Sequence, residues 1–211
     1  MTSRAVRRML IALVTLGALA LAASAFAAKV QNGGFEDGLA GWHKNSHGDG
    51  QWATSIDPNG APFNSPPPEG VNAAYGSQGD PSSDILYQDV KLPDHGKLNL
   101  KFWAGYNNEA NRFATPNSLS TGPTMGPPDK KNQQFRVDVM KPSAPLRSLK
   151  DADVLKRVFR TERDDPLQRD WFKVSAGVTK LAGKKVRLRF AEVDNLFYFT
   201  VGVDDVRVAS S

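Results

Sequence analysis

Short segments in which apolar and polar residues alternate are the feature of this sequence that most limits its fold. The pattern is clearest in Lys97–Tyr106, Gln134–Met140 and Lys185–Glu192. Because successive side chains of a strand point to opposite faces, each segment predicts a strand with one apolar face. Weaker candidates lie at 51–56, 85–92, 171–178 and 200–208, and Gly, Pro, Asp and Asn separate them. The sequence therefore predicts an all-β chain folded as an antiparallel β-sandwich or barrel.

Three segments do not follow this alternation clearly. Asp151–Thr161 fits a short helix as well as it fits a strand, and the pattern does not decide between them. Asp57–Gly70 is rich in proline, and 107–133 is a long polar segment that we predict to be a loop. Loops this long in a compact domain are usually functional or disordered.

The first 27 residues have the pattern of a secretory signal peptide. Three arginines precede an apolar run from Met9 to Ala22, and Ala25-Phe26-Ala27 fits the A-x-A cleavage pattern. Cleavage after Ala25 is an alternative, and so is a retained membrane anchor. The apolar run has about 14 residues against the roughly 20 that span a bilayer, which favours cleavage. We predict a secreted or periplasmic protein with no membrane span after cleavage.

Charge and cysteine content exclude several classes of function. The chain of 211 residues has 27 Lys and Arg, 22 Asp and Glu, and no Cys. Without the three leader arginines, 24 basic residues stand against 22 acidic ones, a net charge of +2 that is too small for a nucleic-acid partner. The absence of Cys excludes disulfides, Cys-ligated metals and a cysteine nucleophile.

Both ends of the mature sequence carry motifs that resemble a known group of domains. The opening motif is Asn32-Gly33-Gly34-Phe35-Glu36 followed by Gly41-Trp42, and the closing motif is Gly202-Val203-Asp204-Asp205-Val206. Together they resemble galactose-binding-like jelly rolls, particularly the secreted bacterial carbohydrate-binding modules of the cellulose- and xylan-binding type. The resemblance covers about residues 28–211 and implies one jelly-roll β-sandwich domain.

The same two motifs lead to a prediction of bound calcium. The first and last strands of a jelly roll can lie side by side, which would bring Glu36 near Asp204. Two close carboxylates repel each other unless a cation lies between them, and an oxygen-only site suits Ca²⁺. The resemblance implies this structural calcium, held by the side chains of Glu36 and Asp204 and the carbonyl of Gly34. The alternative is two solvated surface acids.

A carbohydrate-binding surface is predicted on the polar faces of the strands. Aromatic rings stack on sugar faces, and polar side chains bond sugar hydroxyls. The main candidates are Trp103, Gln134 and Arg136, with Tyr106 and Asn107 at the edge of the surface. Further members of this face are Lys101, Asp138, Arg187 and Arg189. If all these strands shared one sheet, the basic bias would favour an acidic glycan. The alternative is an ordinary solvated sheet face.

Signatures of catalysis are absent from the sequence. It contains no G-x-S-x-G elbow and no H-E-x-x-H motif. His43 and His47 have metal-ligand spacing only on a helix, and the nearby glycines predict a loop. We predict an exported, non-catalytic module that binds a glycan or cell-envelope polysaccharide. The alternatives are a jelly-roll polysaccharide lyase or glycosidase, and a structural or adhesion protein that binds another protein.

Overall fold

The described part of the chain is a two-layer sandwich of ten β-strands. The structure, a computed structural model, describes residues 30–48, 50–54, 63, 65–78, 81–120 and 131–210, so the predicted leader lies outside the described residues. The strands are β1 (His43–His47), β2 (Gln51–Ala53), β3 (Ala74–Gln78), β4 (Ser82–Lys91), β5 (Leu98–Asn108), β6 (Gln134–Met140), β7 (Val154–Arg160), β8 (Gln168–Gly177), β9 (Lys185–Asp194) and β10 (Phe199–Ser210).

These strands form two five-stranded sheets. Sheet A has the order β1-β4-β9-β6-β7, and sheet B has the order β2-β3-β10-β5-β8. All paired neighbours run antiparallel. The only helical element within the described ranges is a 3-10 turn at Thr179–Leu181. The predicted all-β antiparallel sandwich is confirmed.

The ends of the domain meet, although not as two paired strands. Residues 31–41 form turns, so the opening motif is not the strand that the sequence analysis expected. The contact is instead a backbone hydrogen bond of 2.9 Å, in which the Val206 amide donates to the Gly33 carbonyl. The ambiguous segment at 151–161 contains strand β7. It lies at the edge of sheet A, where its Leu155, Val158 and Phe159 pack against the core between the sheets, while Val154 packs on Met140 and Ala144 in a separate small cluster.

The main core fills the space between the sheets. Phe102 of sheet B meets Phe190 of sheet A edge to face at 5.3 Å between ring centroids. Trp42 packs on the other side of Phe190, at 5.7 Å. Burying an aromatic or large aliphatic side chain contributes about 1.5–3 kcal/mol. The alternating apolar residues of β4, β5, β9 and β10 all contribute such side chains. The alternation in the sequence therefore determines which face of each strand points into the core.

The outer face of sheet A is covered by two loop segments, 113–120 and 141–153. Leu119 and Leu149 bury Ile85, Ala191 and Val193 of this face in a second small core. Polar bonds hold both segments in place. Gln134 Nε2 donates to the Ser118 carbonyl at 3.0 Å. Arg189 Nη1 donates to the carbonyls of Leu146 and Ser148 at 2.6 and 2.9 Å. The central strands β6 and β9 of sheet A therefore present little of their outer face to solvent, while the edge strands β1 and β7 stay largely exposed.

Candidate functional site

The outer face of sheet B carries the side chains that remain available for a ligand. Cross-strand register aligns Trp103 of β5 with Lys173 of β8 and with Asp204 of β10. The next row aligns Lys101 with Ser175 and Arg207. The residues that alternate with these, such as Phe102, point into the core. One aromatic ring and three cationic side chains thus share this face.

These residues line a depression of about 280 Å³, which we call the Trp103 groove. The Lys173 ammonium lies 4.7 Å from the centre of the Trp103 ring, a cation–π contact. A β-bulge in β10 between Asp204 and Arg207 places Arg207 opposite Lys101. The Arg207 guanidinium forms an ion pair with the Asp205 carboxylate. Asp205 has a φ of 50°, as the bulge requires. The groove carries more positive than negative charge.

Beside the Trp103 groove lies an aromatic cluster on the same face. Gly202 and Gly105 form a row across the sheet, and the Phe63 ring lies on them between Tyr75 and Trp171. A Cβ at Gly202 would come within 2.7 Å of Phe63, and one at Gly105 within 2.9 Å, so these glycines permit the close approach.

The predicted binding residues do not form one surface, and that prediction is wrong. Trp103 and Asn107 lie on the outer face of sheet B. Gln134 and Arg136 belong to β6 in sheet A, on the opposite side of the sandwich. Both are buried beneath the covering segments, and Arg136 is bound to Asp138 through two hydrogen bonds of 2.9 and 3.2 Å. They support the fold and cannot reach a polymer on sheet B.

Tyr106 is also wrongly placed by the sequence analysis. Its side chain is 0% exposed and packs edge to face on Phe113 and Phe172, at 5.5 and 5.9 Å. Tyr106 lies four residues after Phe102 in β5, so both side chains point to the same face of the strand, which is the core face. Asn107 and the partly buried Trp103 have the opposite parity and point outward.

The predicted metal residues converge on the segment 69–72. Glu36 Oε1 accepts hydrogen bonds from the amides of Val71 and Asn72, each 2.9 Å long. Asp204 accepts from the amides of Glu69 and Asp205 at 2.8 and 2.6 Å. The Glu69 carboxylate lies so close to Gly34 that a Cβ there would collide with it. Glu36, Glu69 and Asp204 are hereafter the acid cluster; Glu69 was not predicted, because it lies in the proline-rich segment.

The carboxylates of the acid cluster bring an excess of negative charge together. Burial raises the pKa of Asp204 to about 7, and the negative charges of Glu69 and Glu36 add to that rise. Tyr75 faces Asp204 and has its pKa raised to about 12 by burial and by that carboxylate. Across the described residues, no group of three or more His, Cys, Asp or Glu side chains is gathered closely enough to hold a metal ion. Any cation here would need backbone carbonyls as well as carboxylates.

The histidines of the opening region lie in a different element from the one expected. His43 and His47 are in strand β1, at the edge of sheet A, and not in a loop. The His43 ring stacks on Tyr87 of β4 at 5.2 Å. An interval of four residues brings two histidines together on one face of a helix, but His43 and His47 lie in a strand, so that helical arrangement does not apply to them.

The fold defines the class. This is a jelly-roll β-sandwich of the kind found in carbohydrate-binding modules and adhesin domains. A family 61 carbohydrate-binding module, solved with β-1,4-galactotriose, shares 15% identity and a TM-score of 0.53, over 86% of this chain and 97% of the module. The K3 cleaved adhesin domain of Lys-gingipain from Porphyromonas gingivalis shares 17% sequence identity and a TM-score of 0.51, over 86% of this chain and 98% of that domain.

A third similar structure belongs to a larger protein. The enzymatically active domain of tailspike protein 4 from bacteriophage CBA120 shares 10% identity and a TM-score of 0.50, over 87% of this chain and 21% of that one. Identities this low show a shared fold alone. No family model and no curated protein sequence matches the chain. Within the described ranges, none of the helical structure is long and apolar enough to cross a membrane.

Proposed function

We propose that this protein is an exported, non-catalytic domain that binds an acidic polysaccharide in the Trp103 groove. The observation that carries the proposal is the combination of the outward Trp103 with Lys101, Lys173 and Arg207 on the open face of sheet B. A Trp ring stacks on the apolar face of a pyranose. Ammonium and guanidinium groups bind sugar carboxylates or sulfates through charge-assisted hydrogen bonds.

The proposal differs from the sequence prediction in where the positive charge comes from. Arg136 and Arg189 of sheet A are buried and paired with Asp138, so they contribute nothing to the ligand. Lys101, Lys173 and Arg207 of sheet B supply the charge instead. The carbohydrate-binding module of similar fold was solved with a neutral galactotriose. For this chain, the cations around Trp103 favour an acidic ligand over a neutral one.

The test compares binding of oligogalacturonate and of neutral β-1,4-galactotriose by isothermal titration calorimetry. We expect oligogalacturonate to bind more tightly, and its affinity to fall with added NaCl because salt screens exposed charges. Trp103→Ala is expected to weaken binding at least tenfold while the midpoint of urea unfolding changes little, since the ring is partly exposed and lies outside the core.

A matched pair of lysine variants provides the control. Lys173→Ala removes the cation above Trp103, whereas Lys156→Ala removes an exposed lysine of edge strand β7 in the other sheet. Only Lys173→Ala should lower the affinity for oligogalacturonate. Equal binding by Trp103→Ala and the parent protein, with both folded, would show that the Trp103 groove is not the binding site.

We propose further that Ca²⁺ binds at the acid cluster, with Glu36, Asp204 and the Gly34 carbonyl as ligands and Glu69 beside them. The support is the convergence of the carboxylates of Glu36 and Asp204 on segment 69–72, where burial, and then the charges of Glu69 and Glu36, raise the pKa of Asp204. Oxygen ligands of this kind suit Ca²⁺. The ion would balance this charge and fix segment 65–73, which covers part of sheet B. Its role is therefore structural, and the sugar is bound by the chain's own side chains.

A further inference from the structure

The turn between β9 and β10 exposes two large aromatic side chains. Phe197 is 54% and Tyr198 48% exposed, and their rings meet edge to face at 5.0 Å between centroids. Among the described residues only Val71 and Leu167 are other large hydrophobics exposed to a comparable degree. The two adjacent exposed rings form a contiguous apolar patch, and contiguous apolar patches rimmed by polar residues are a mark of interaction sites.

The turn is held rigidly, by buried amide side chains. Gln133 is fully buried; its Oε1 accepts from the Leu196 amide at 3.1 Å, and its Nε2 donates to the Phe197 carbonyl at 2.8 Å. The Asn132 amide donates to Asn195 Oδ1 at 2.7 Å. The Glu109 amide donates to the Tyr198 carbonyl at 2.9 Å. Because burying amide groups is favourable only when they are bonded, this network fixes the turn's backbone and keeps both rings outward.

Charged side chains adjoin the two rings. A depression of about 500 Å³ next to Phe197 is lined by Glu109, Arg112 and Lys131, together with Leu196. Within the described part of the chain, neither Arg112 nor Lys131 belongs to an ion pair. Among the described residues, Arg112 and Lys131 thus stand outside any ion pair beside an exposed aromatic ring. This matches the chemistry of an acidic sugar: the ring takes the pyranose face, and the cations take its carboxylate or sulfate.

We infer that the β9–β10 turn is a second, separate contact for acidic sugar, formed by Phe197, Tyr198, Arg112 and Lys131. The class of ligand, an acidic sugar, rests on the proposed function, whereas the position of the site rests on the geometry of the turn itself. Asn108, whose side chain belongs to the amide network, lies five residues beyond Trp103 along β5, or about 17 Å at strand spacing. A polymer can engage both sites at once, whereas a disaccharide is too short to do so.

The experiment is a ¹⁵N NMR titration of the protein with digalacturonate. We expect two sets of shifts: the Trp103 indole and its neighbours, and the amides of 109–112 and 196–198. The variant Phe197→Ala/Tyr198→Ala should lose the second set and keep the first. Its affinity for polygalacturonate should fall at least tenfold, because bivalent attachment is lost. Val71→Ala, which truncates an exposed apolar residue elsewhere, should leave both unchanged.

The outcomes separate this inference from the proposed function. Shifts at Trp103 without shifts at the turn would overturn the inference and leave the function standing. Shifts at the turn alone would support the inference and refute the Trp103 groove. No shift at either site would overturn both. If the parent protein sediments as a dimer and the double variant as a monomer, with no turn shifts on titration, the rings bind a second copy of the chain and the inference is wrong.

Discussion

The carboxylate of Asp138 pairs with two guanidinium groups under the cover of sheet A. It pairs with Arg136 at 2.9 Å and also with Arg189, and both Asp138 and the Arg189 side chain are 0% exposed. Burial lowers the pKa of Arg189, and Asp138 opposes that effect. Asp138→Asn keeps the shape but removes the negative charge, so two buried cations lose their counter-ion. Breaking a buried ion pair in this way costs about 3–5 kcal/mol.

This loss is large against a typical domain stability of about 5–15 kcal/mol. Asp151→Asn is the matched control, because Asp151 pairs with Arg157 at 2.7 Å while the two side chains are 87% and 59% exposed. Exposed pairs contribute about 0–1 kcal/mol. Urea unfolding followed by Trp fluorescence measures both variants. If Asp138→Asn lost less than about 1 kcal/mol, and no more than Asp151→Asn, the buried network would not stabilise the fold as argued.

Two predictions concern the acid cluster. In EDTA, the free energy of unfolding should fall as pH rises from about 4 to 7, because folded Asp204 keeps its proton to about pH 7 and the unfolded group loses it near 3.8. The fall in the free energy of unfolding is at most about 4 kcal/mol. Glu69→Gln removes one charge that repels the Asp204 carboxylate, so its free energy of unfolding should depend less steeply on pH. Equal slopes for variant and parent would contradict this. At pH 7.5, Ca²⁺ should raise the melting temperature of EDTA-treated protein and Asp204→Asn should abolish that rise. An identical melting curve with and without Ca²⁺ would refute the calcium site.

Local alternation was sufficient to predict the central strands. Gln134–Met140 is β6 as predicted, and Lys185–Glu192 lies within β9. The short strands β1 and β3 were missed, since His43–His47 is largely polar and Ala74–Gln78 contains a glycine and small residues. Neither has the apolar face that makes a strand visible in a sequence.

The binding surface was harder to predict because it depends on which strands share a sheet. The outward parity of Trp103 and Arg136 was correct, yet β5 and β6 lie in different sheets. No local pattern reports that pairing, or the loop that buries Arg136. Tyr106 is different, because the alternation of β5 already assigned it to the core. Glu69 lies far from Glu36 and Asp204 in sequence, and only the folded chain brings its amide to the Asp204 carboxylate.

The loops over sheet A have a consequence for how many polymer strands one molecule can hold side by side. With that face covered and the Trp103 groove on the other, a single copy has one open broad surface. If the Trp103 groove binds a polysaccharide as proposed, one molecule lies on a single layer of it through this surface. Binding two layers through two Trp103 grooves would require two copies joined through the covered side of sheet A, so the number of layers held in this way depends on the oligomeric state.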